Sequence, residues 1–130
     1  METTKSENLR KHILLVDDDP SIIESTRLAL ELSGYEVDTA PDGELGLVKA
    51  ERRRPDLLIL DMMTPKRSGF LVLETLRQVD DFPTRIIMIT ANDGSRHRNY
   101  AESLGVDAYL LKPFQMDDLL NTVKRLLEDA

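Results

Sequence analysis

Five short apolar runs punctuate the chain: ILLV at 13–16, YEVDTA at 35–40, LLIL at 57–60, IIMI at 86–89 and AYLL at 108–111. Four of them are nearly continuous in apolar character, as strands buried on both faces of a sheet are. Only YEVDTA alternates, which places it at an edge. Between the runs the apolar period becomes helical. In the last stretch Met116, Leu119, Leu120, Val123, Leu126 and Leu127 fall on one helix face. Boundary residues agree. Asp19 followed by Pro20 is an N-cap with a first-turn proline, and Gly34 closes the same helix. PDG at 41–43, RSG at 67–69 and RHR at 96–98 open the second, third and fourth helices. Strand–helix alternation at this pace predicts an α/β fold. It is a (βα)5 doubly wound parallel sheet with right-handed crossovers and helices on both faces, a three-layer sandwich.

The residues that follow the strands carry the chemistry. The first run ends at Asp17, the third at Asp61, the fourth at Thr90 and the fifth at Lys112. Strand ends of a parallel sheet share one edge, and ligands bind there, where strand order reverses. With the order 2-1-3-4-5, the commoner one for five strands, Asp17, Asp18 and Asp61 come together with Thr90 and Lys112 beside them. The hydrophobic pattern alone leaves that order open. Two carboxylates about 5 Å apart repel by roughly 3 kcal/mol at an effective dielectric near 20. Lys112 supplies one compensating charge and a third carboxylate remains, so the crevice calls for a hard divalent cation with oxygen ligands, for which Mg²⁺ is the usual choice. Asp19 is accounted for by its capping role.

Composition narrows the reading. The 130 residues are one domain's worth, 41% hydrophobic and 32% charged. Zero cysteines exclude thiol chemistry, and with just two histidines the composition argues against a zinc site. The net charge of −7 argues against direct nucleic-acid contact and against an anionic membrane surface. Residues 1–10 are polar, without the apolar core of a secretory signal, and read as a flexible N-terminal arm before a domain at 11–130. No run is long enough to span a membrane. A cytoplasmic location fits.

The stretches ILLVDDDP, PDLLILDMMTPKRSGF, MITA and YLLKPF, in this order and spacing, resemble the receiver domain of two-component response regulators, over residues 11 to 128. The resemblance implies a flavodoxin-like sheet of order 2-1-3-4-5. It also implies a phosphorelay role, in which Asp61 accepts a phosphoryl group from a phosphohistidine on a sensor histidine kinase or histidine phosphotransfer protein. Asp18 would bind Mg²⁺ directly and Asp17 largely through water, with Asp61 and the backbone carbonyl of Met63 completing the ligands. Lys112 would bridge to the phosphoryl group, Thr90 would hydrogen-bond it, and a cis peptide before Pro113 would aim the lysine. Tyr109 matches the family's aromatic switch position. Its movement with Thr90 would remodel the face of the fourth helix, fifth strand and fifth helix, through which a downstream protein or a second copy docks. Met63 and Asn92 match the positions that flank the hydrolytic water and set the phosphate's lifetime.

Other features get plainer readings. His12 and His97 are ordinary histidines, since this family carries phosphate on aspartate. Lys66 and Ser68 stand where many members have Gly and Asp, which adds basic charge near Asp61. The competing function is a Mg²⁺-dependent phosphohydrolase with an aspartyl nucleophile, but its D-x-D-x-T sign is missing because Met63 stands two beyond Asp61. Neither nucleotide-binding glycine motif is present. A receiver-like docking domain that is never phosphorylated would usually have lost the aspartates or the lysine. The chain starts with Met and stops soon after its fifth helix, at Glu128, Asp129 and Ala130. Two readings follow, a single-domain regulator acting by protein–protein contact or a piece of a larger protein, and the first is the expectation. It would be no enzyme beyond catalysing its own phosphorylation and dephosphorylation.

Overall fold

The computed structural model describes residues 10–63, 66, 68–78, 83–91 and 95–128, the side chains of 95 and 96 excepted. Strands and helices alternate throughout: β1 His12–Val16, α1 Pro20–Leu32, β2 Glu36–Ala40, α2 Gly43–Arg52, β3 Leu57–Asp61, α3 Gly69–Arg77, β4 Arg85–Thr90, α4 Ser95–Ser103, β5 Ala108–Leu111 and α5 Met116–Glu128. All neighbouring strands are parallel, in the order β2-β1-β3-β4-β5. The reversal lies between β1 and β3, as expected.

Successive strand residues point to opposite faces, and this divides the core. Ile13, Leu15, Leu57, Ile59, Ile87 and Ile89 pack against α1 and α5 through Leu30, Leu119, Val123, Leu126 and Leu127. Leu14, Val16, Leu58, Leu60, Ile86 and Met88 pack against α2 and α3 through Leu47, Ala50, Val72, Leu73 and Leu76. Two buried faces per strand are what made ILLV, LLIL and IIMI continuous.

AYLL corrects that reading. β5 is half-buried along Ala108–Leu110 and exposed at Leu111. It is the second edge of the sheet, hydrogen-bonded only to β4, and burial at an edge depends on what lies outside it. The alternating β2 is the other edge, as its pattern predicts.

Local chemistry fixes the helix ends that matter for the site. Asp19 caps α1, its carboxylate accepting from the Ser21 amide at 2.9 Å. Gly34, at φ 99°, closes the helix as a Schellman turn, with Gly34 N–H on the Glu31 carbonyl and Tyr35 N–H on the Leu30 carbonyl. Asp42 caps α2 through the Leu45 amide and Ser68 caps α3 through the Leu71 amide. These caps start each helix immediately beyond the carboxyl edge of the sheet.

Candidate functional site

The carboxyl ends of β1, β3 and β5 converge on one cleft. Asp17 prolongs the ladder past β1, its amide donating to the Ala40 carbonyl at 3.2 Å. Asp17 is 2% exposed, and its carboxylate accepts from the Asp19 amide at 3.0 Å. Asp61 is the last residue of β3, 4% exposed, with Oδ1 accepting from the Met63 amide at 3.1 Å. Carboxylate oxygens of Asp17, Asp18 and Asp61 lie within 4.8 Å of one another, Asp18 being the exposed member. Lys112 reaches in from the end of β5, with Nζ 2.9 Å from Asp17 Oδ2 and 3.1 Å from Asp61 Oδ2. Its amide donates to the Thr90 carbonyl at 2.8 Å, and the Lys112–Pro113 peptide is cis, as expected. Burial alone would lower the Lys112 pKa; the hydrogen bonds to Asp17 and Asp61 outweigh it and hold the ammonium above its usual value.

Three carboxylates against one ammonium leave two negative charges in a crevice whose offered donors are all oxygen. That is the donor set and charge of a site for a hard divalent cation. Asp19 stays outside it. Hydrogen bonds from the Ser21 hydroxyl and amide lower its pKa, which is the signature of the cap.

Thr90 is wholly buried at the end of β4, beside the lysine whose amide its carbonyl accepts. Tyr109 lies two residues before Leu111, the register partner of Thr90. It is half-buried against the α2–α3 core, with the Arg98 guanidinium 5.6 Å from its ring centroid. It stands apart from the carboxylates, on the α4 side of the sheet. Asn92 lies outside the described residues, as do most of the 1–10 arm and Arg67. His12 is buried at the opposite end of β1, and His97 packs edge-on against Phe70, so neither reaches the cleft.

Sequence reasoning missed two features of the cleft. Gly69 opens α3 directly against Asp61: a Cβ there would lie 2.7 Å from the Asp61 carbonyl oxygen and 2.8 Å from Met62 Cα. Its amide also donates to the Met62 carbonyl at 2.9 Å. Only glycine lets the helix start this close. A glycine beside an N-cap serine was the available signal. Lys66 adopts φ 68°, a left-handed backbone that glycine takes without strain. Its ammonium sits 3.7 Å from Asp42 Oδ2, so the extra charge spans from the β3–α3 loop to the start of α2. An open cavity of about 420 Å³ flanks Lys112, lined by Ile22, Ser25, Thr26, Ala91, Pro113, Phe114 and Met116.

Known proteins share this arrangement. The family model of the response regulator receiver domain matches residues 13–124. The chain is 44% identical over 120 residues to the alkaline phosphatase synthesis transcriptional regulatory protein PhoP of Bacillus subtilis, covering 92% of this chain and 49% of that protein. It is 39% identical over 118 residues to the DNA-binding dual master transcriptional regulator RpaA of Synechocystis sp., covering 88% and 48%. Among solved structures, the chemotaxis protein CheY4 of Vibrio cholerae superposes with a TM-score of 0.84 at 34% identity, covering 91% of this chain and 99% of that one. The receiver domain of a Pseudomonas aeruginosa sensor histidine kinase, with a magnesium ion coordinated in its active site cleft, superposes at 0.82 with 29% identity, covering 92% and 98%.

The chain thus spans about half the length of the curated relatives it matches. Two of these are transcriptional regulators by name, so the expectation of no direct nucleic-acid contact finds no support. Among the described residues no helix is long and apolar enough to cross a membrane. The match over residues 13–124, the strand order and the clustered aspartates with their lysine lead to one conclusion: the chain belongs to the response regulator receiver family, whose domains accept phosphate in two-component signalling.

Proposed function

We propose that Asp61 is the phosphoacceptor, taking its phosphoryl group from a phosphohistidine on a sensor histidine kinase or a histidine phosphotransfer protein. The observation that carries this is the pair of hydrogen bonds on its carboxylate, Met63 N–H at Oδ1 and Lys112 Nζ at Oδ2. They hold a buried nucleophile at the mouth of the cleft. In the transfer an Asp61 oxygen attacks phosphorus, the P–N bond breaks, and the imidazole leaves and takes up a proton. Phosphoryl transfer needs positioning and charge neutralisation more than covalent help. Lys112 neutralises charge on the transferred group, and the Thr90 hydroxyl donates to it. Asp17, Asp18, Asp61 and the Met63 carbonyl would hold Mg²⁺, which offsets charge on the equatorial oxygens when bound. Met63 and Asn92 match the family positions that govern hydrolysis of the acyl phosphate, and the chain catalyses its own phosphorylation and dephosphorylation and no other reaction.

Output runs through Thr90 and Tyr109 to the face formed by α4, β5 and α5. A polar hollow there, lined by Arg98, Glu102, Asp107, Tyr109, Thr122 and Arg125, supports docking of a protein target or a second copy. The domain occupies 11–130 behind a short arm at 1–10, in the cytoplasm. The phosphohydrolase reading is not favoured: Met63 stands where a second acid would act.

Incubation with Mg²⁺ and acetyl phosphate tests the assignment. Intact mass should show one acid-labile phosphate adduct, absent in Asp61→Asn. An adduct that persists in Asp61→Asn overturns it.

A further inference from the structure

We propose that Met63 is a methionine-sulfoxide modification site and that its oxidation shortens the life of the phosphate on Asp61. The proposal rests on Asp61 being the phosphoacceptor. The chain has no cysteine, so thioethers are its only reduced sulfur. Among the described residues their accessibilities differ sharply: Met62 is 2% exposed, Met88 0% and Met63 66%, while Met116 is half-buried against the α1–α5 core. Among the described methionines, an oxidant arriving from solvent meets Met63 first. The carboxylate cluster beside it repels anions, which favours a neutral oxygen donor such as hydrogen peroxide.

The reaction is a two-electron oxygen transfer. The sulfur lone pair attacks one peroxide oxygen and the O–O bond breaks. An S–O bond forms, and the peroxide is reduced to water. Reversal needs a methionine sulfoxide reductase and a thiol reductant.

Position turns this lesion into a control. The Met63 amide is tied to Asp61 Oδ1 at 3.1 Å, so the side chain starts beside the carboxyl that carries phosphate. A thioether is a weak acceptor that leaves the attacking water unoriented. The sulfoxide oxygen is a strong acceptor in the same place and can orient that water for in-line attack. Mg²⁺ would use the backbone carbonyl of this residue, which oxidation leaves intact.

The full chain is treated with hydrogen peroxide, its oxidised methionines are mapped by peptide mass, and phosphate decay is followed after acetyl phosphate is removed. Among Met62, Met63, Met88 and Met116, oxidation should appear first at Met63. Decay should accelerate about fivefold, the rate equivalent of one net hydrogen bond made in the transition state. Peroxide should leave the decay of Met63→Leu where it was, and Met63→Gln should decay fast without oxidant. Oxidation of Met116 ahead of Met63, or equal decay of oxidised and unoxidised protein, overturns the proposal while leaving the phosphoacceptor assignment standing. Failure of the unoxidised protein to form any adduct overturns both.

Discussion

Helices α1 and α4 both follow a strand that ends at the cleft, and both close with the same device. Gly105, at φ 83°, ends α4 as Gly34 ends α1, with Gly105 N–H on the Glu102 carbonyl and Val106 N–H on the Ala101 carbonyl. Their attachment differs. The thirteen residues of α1 bury Thr26 and Leu30 and pack Ile23 against the core. In α4, SRHRNYAES, the only fully buried side chain among those described is Ala101. Beyond Ala101 and the Arg98 contact with Tyr109, the described contacts that hold α4 come from one stripe of α3. Phe70 meets His97 and Tyr100 edge-on, Glu74 accepts from the Tyr100 hydroxyl, and Arg77 donates to the carbonyls of Leu104 and Gly105. Positions 70, 74 and 77 lie on one helix face. A helix held by its own apolar face opens only with the whole domain; one held by polar contacts from a neighbour can open alone. The second kind of attachment suits the output face proposed for α4, β5 and α5. The same α3 begins at Gly69 against Asp61, so the supports of α4 share a helix with a residue packed on the carboxylate cleft.

The largest effect should come from the first kind of attachment. Leu30→Ala empties a fully buried site that also forms the C-terminal turn of α1. It should cost about 2–5 kcal/mol of global stability. Urea unfolding measures it; a loss well under 1 kcal/mol would place the anchoring of α1 elsewhere.

Arg77→Ala should separate the two regions. It removes two charge-assisted hydrogen bonds, at 2.9 Å and 2.6 Å, from the end of α4. Native-state amide exchange in α4 should accelerate about tenfold or more, while exchange in α1 changes little. Equal acceleration in both helices would show that α4 has no separate opening and would dissolve the contrast.

The sequence makes α1 legible and leaves α4 obscure for physical reasons. Asp19, Pro20, Leu30 and Gly34 each act through their own local chemistry, so they can be read where they stand. Strand ends are equally readable, because parallel strands must share an edge. This makes Asp17, Asp18, Asp61 and Lys112 legible as a cluster in the sequence. Their strand order came from family resemblance, since hydrophobic pattern does not encode it. The exposure of β5 was hidden because AYLL has the composition of a buried strand and only its neighbours decide otherwise. Arg77, Glu74 and Gly69 act across the fold, on backbone carbonyls and a close approach that no local window contains. Lys66 is legible as charge near Asp61, but its left-handed backbone and its pairing with Asp42 depend on the folded loop.

The smallest effect is a pH dependence that belongs to the global transition and not to α4. His12 is buried at the amino end of β1, far from the cleft, and its Nδ1 has no partner among the described residues. Burial, and then the charge of Arg53, push its pKa below the usual imidazole value, against the opposing pull of Glu36, Asp38 and Asp56. The folded state therefore keeps His12 neutral at pH values where the unfolded chain already binds a proton. Wherever the unfolded state binds more protons, stability rises with pH. The loss should thus begin as pH falls through about 6.5, the unfolded value, and level off below the folded one. Glu36, whose pKa is lowered mainly by the hydrogen bond from Arg53, loses its contribution only in the acid range near its own unfolded value, below about 4.5. The two windows do not overlap strongly. Urea unfolding between about pH 7.5 and 5.5 should show native stability falling and His12→Phe flattening the slope. Exchange from local opening of α4 should not follow that slope, because no part of that opening exposes His12. If α4 exchange tracks the His12 titration, α4 opens only through global unfolding.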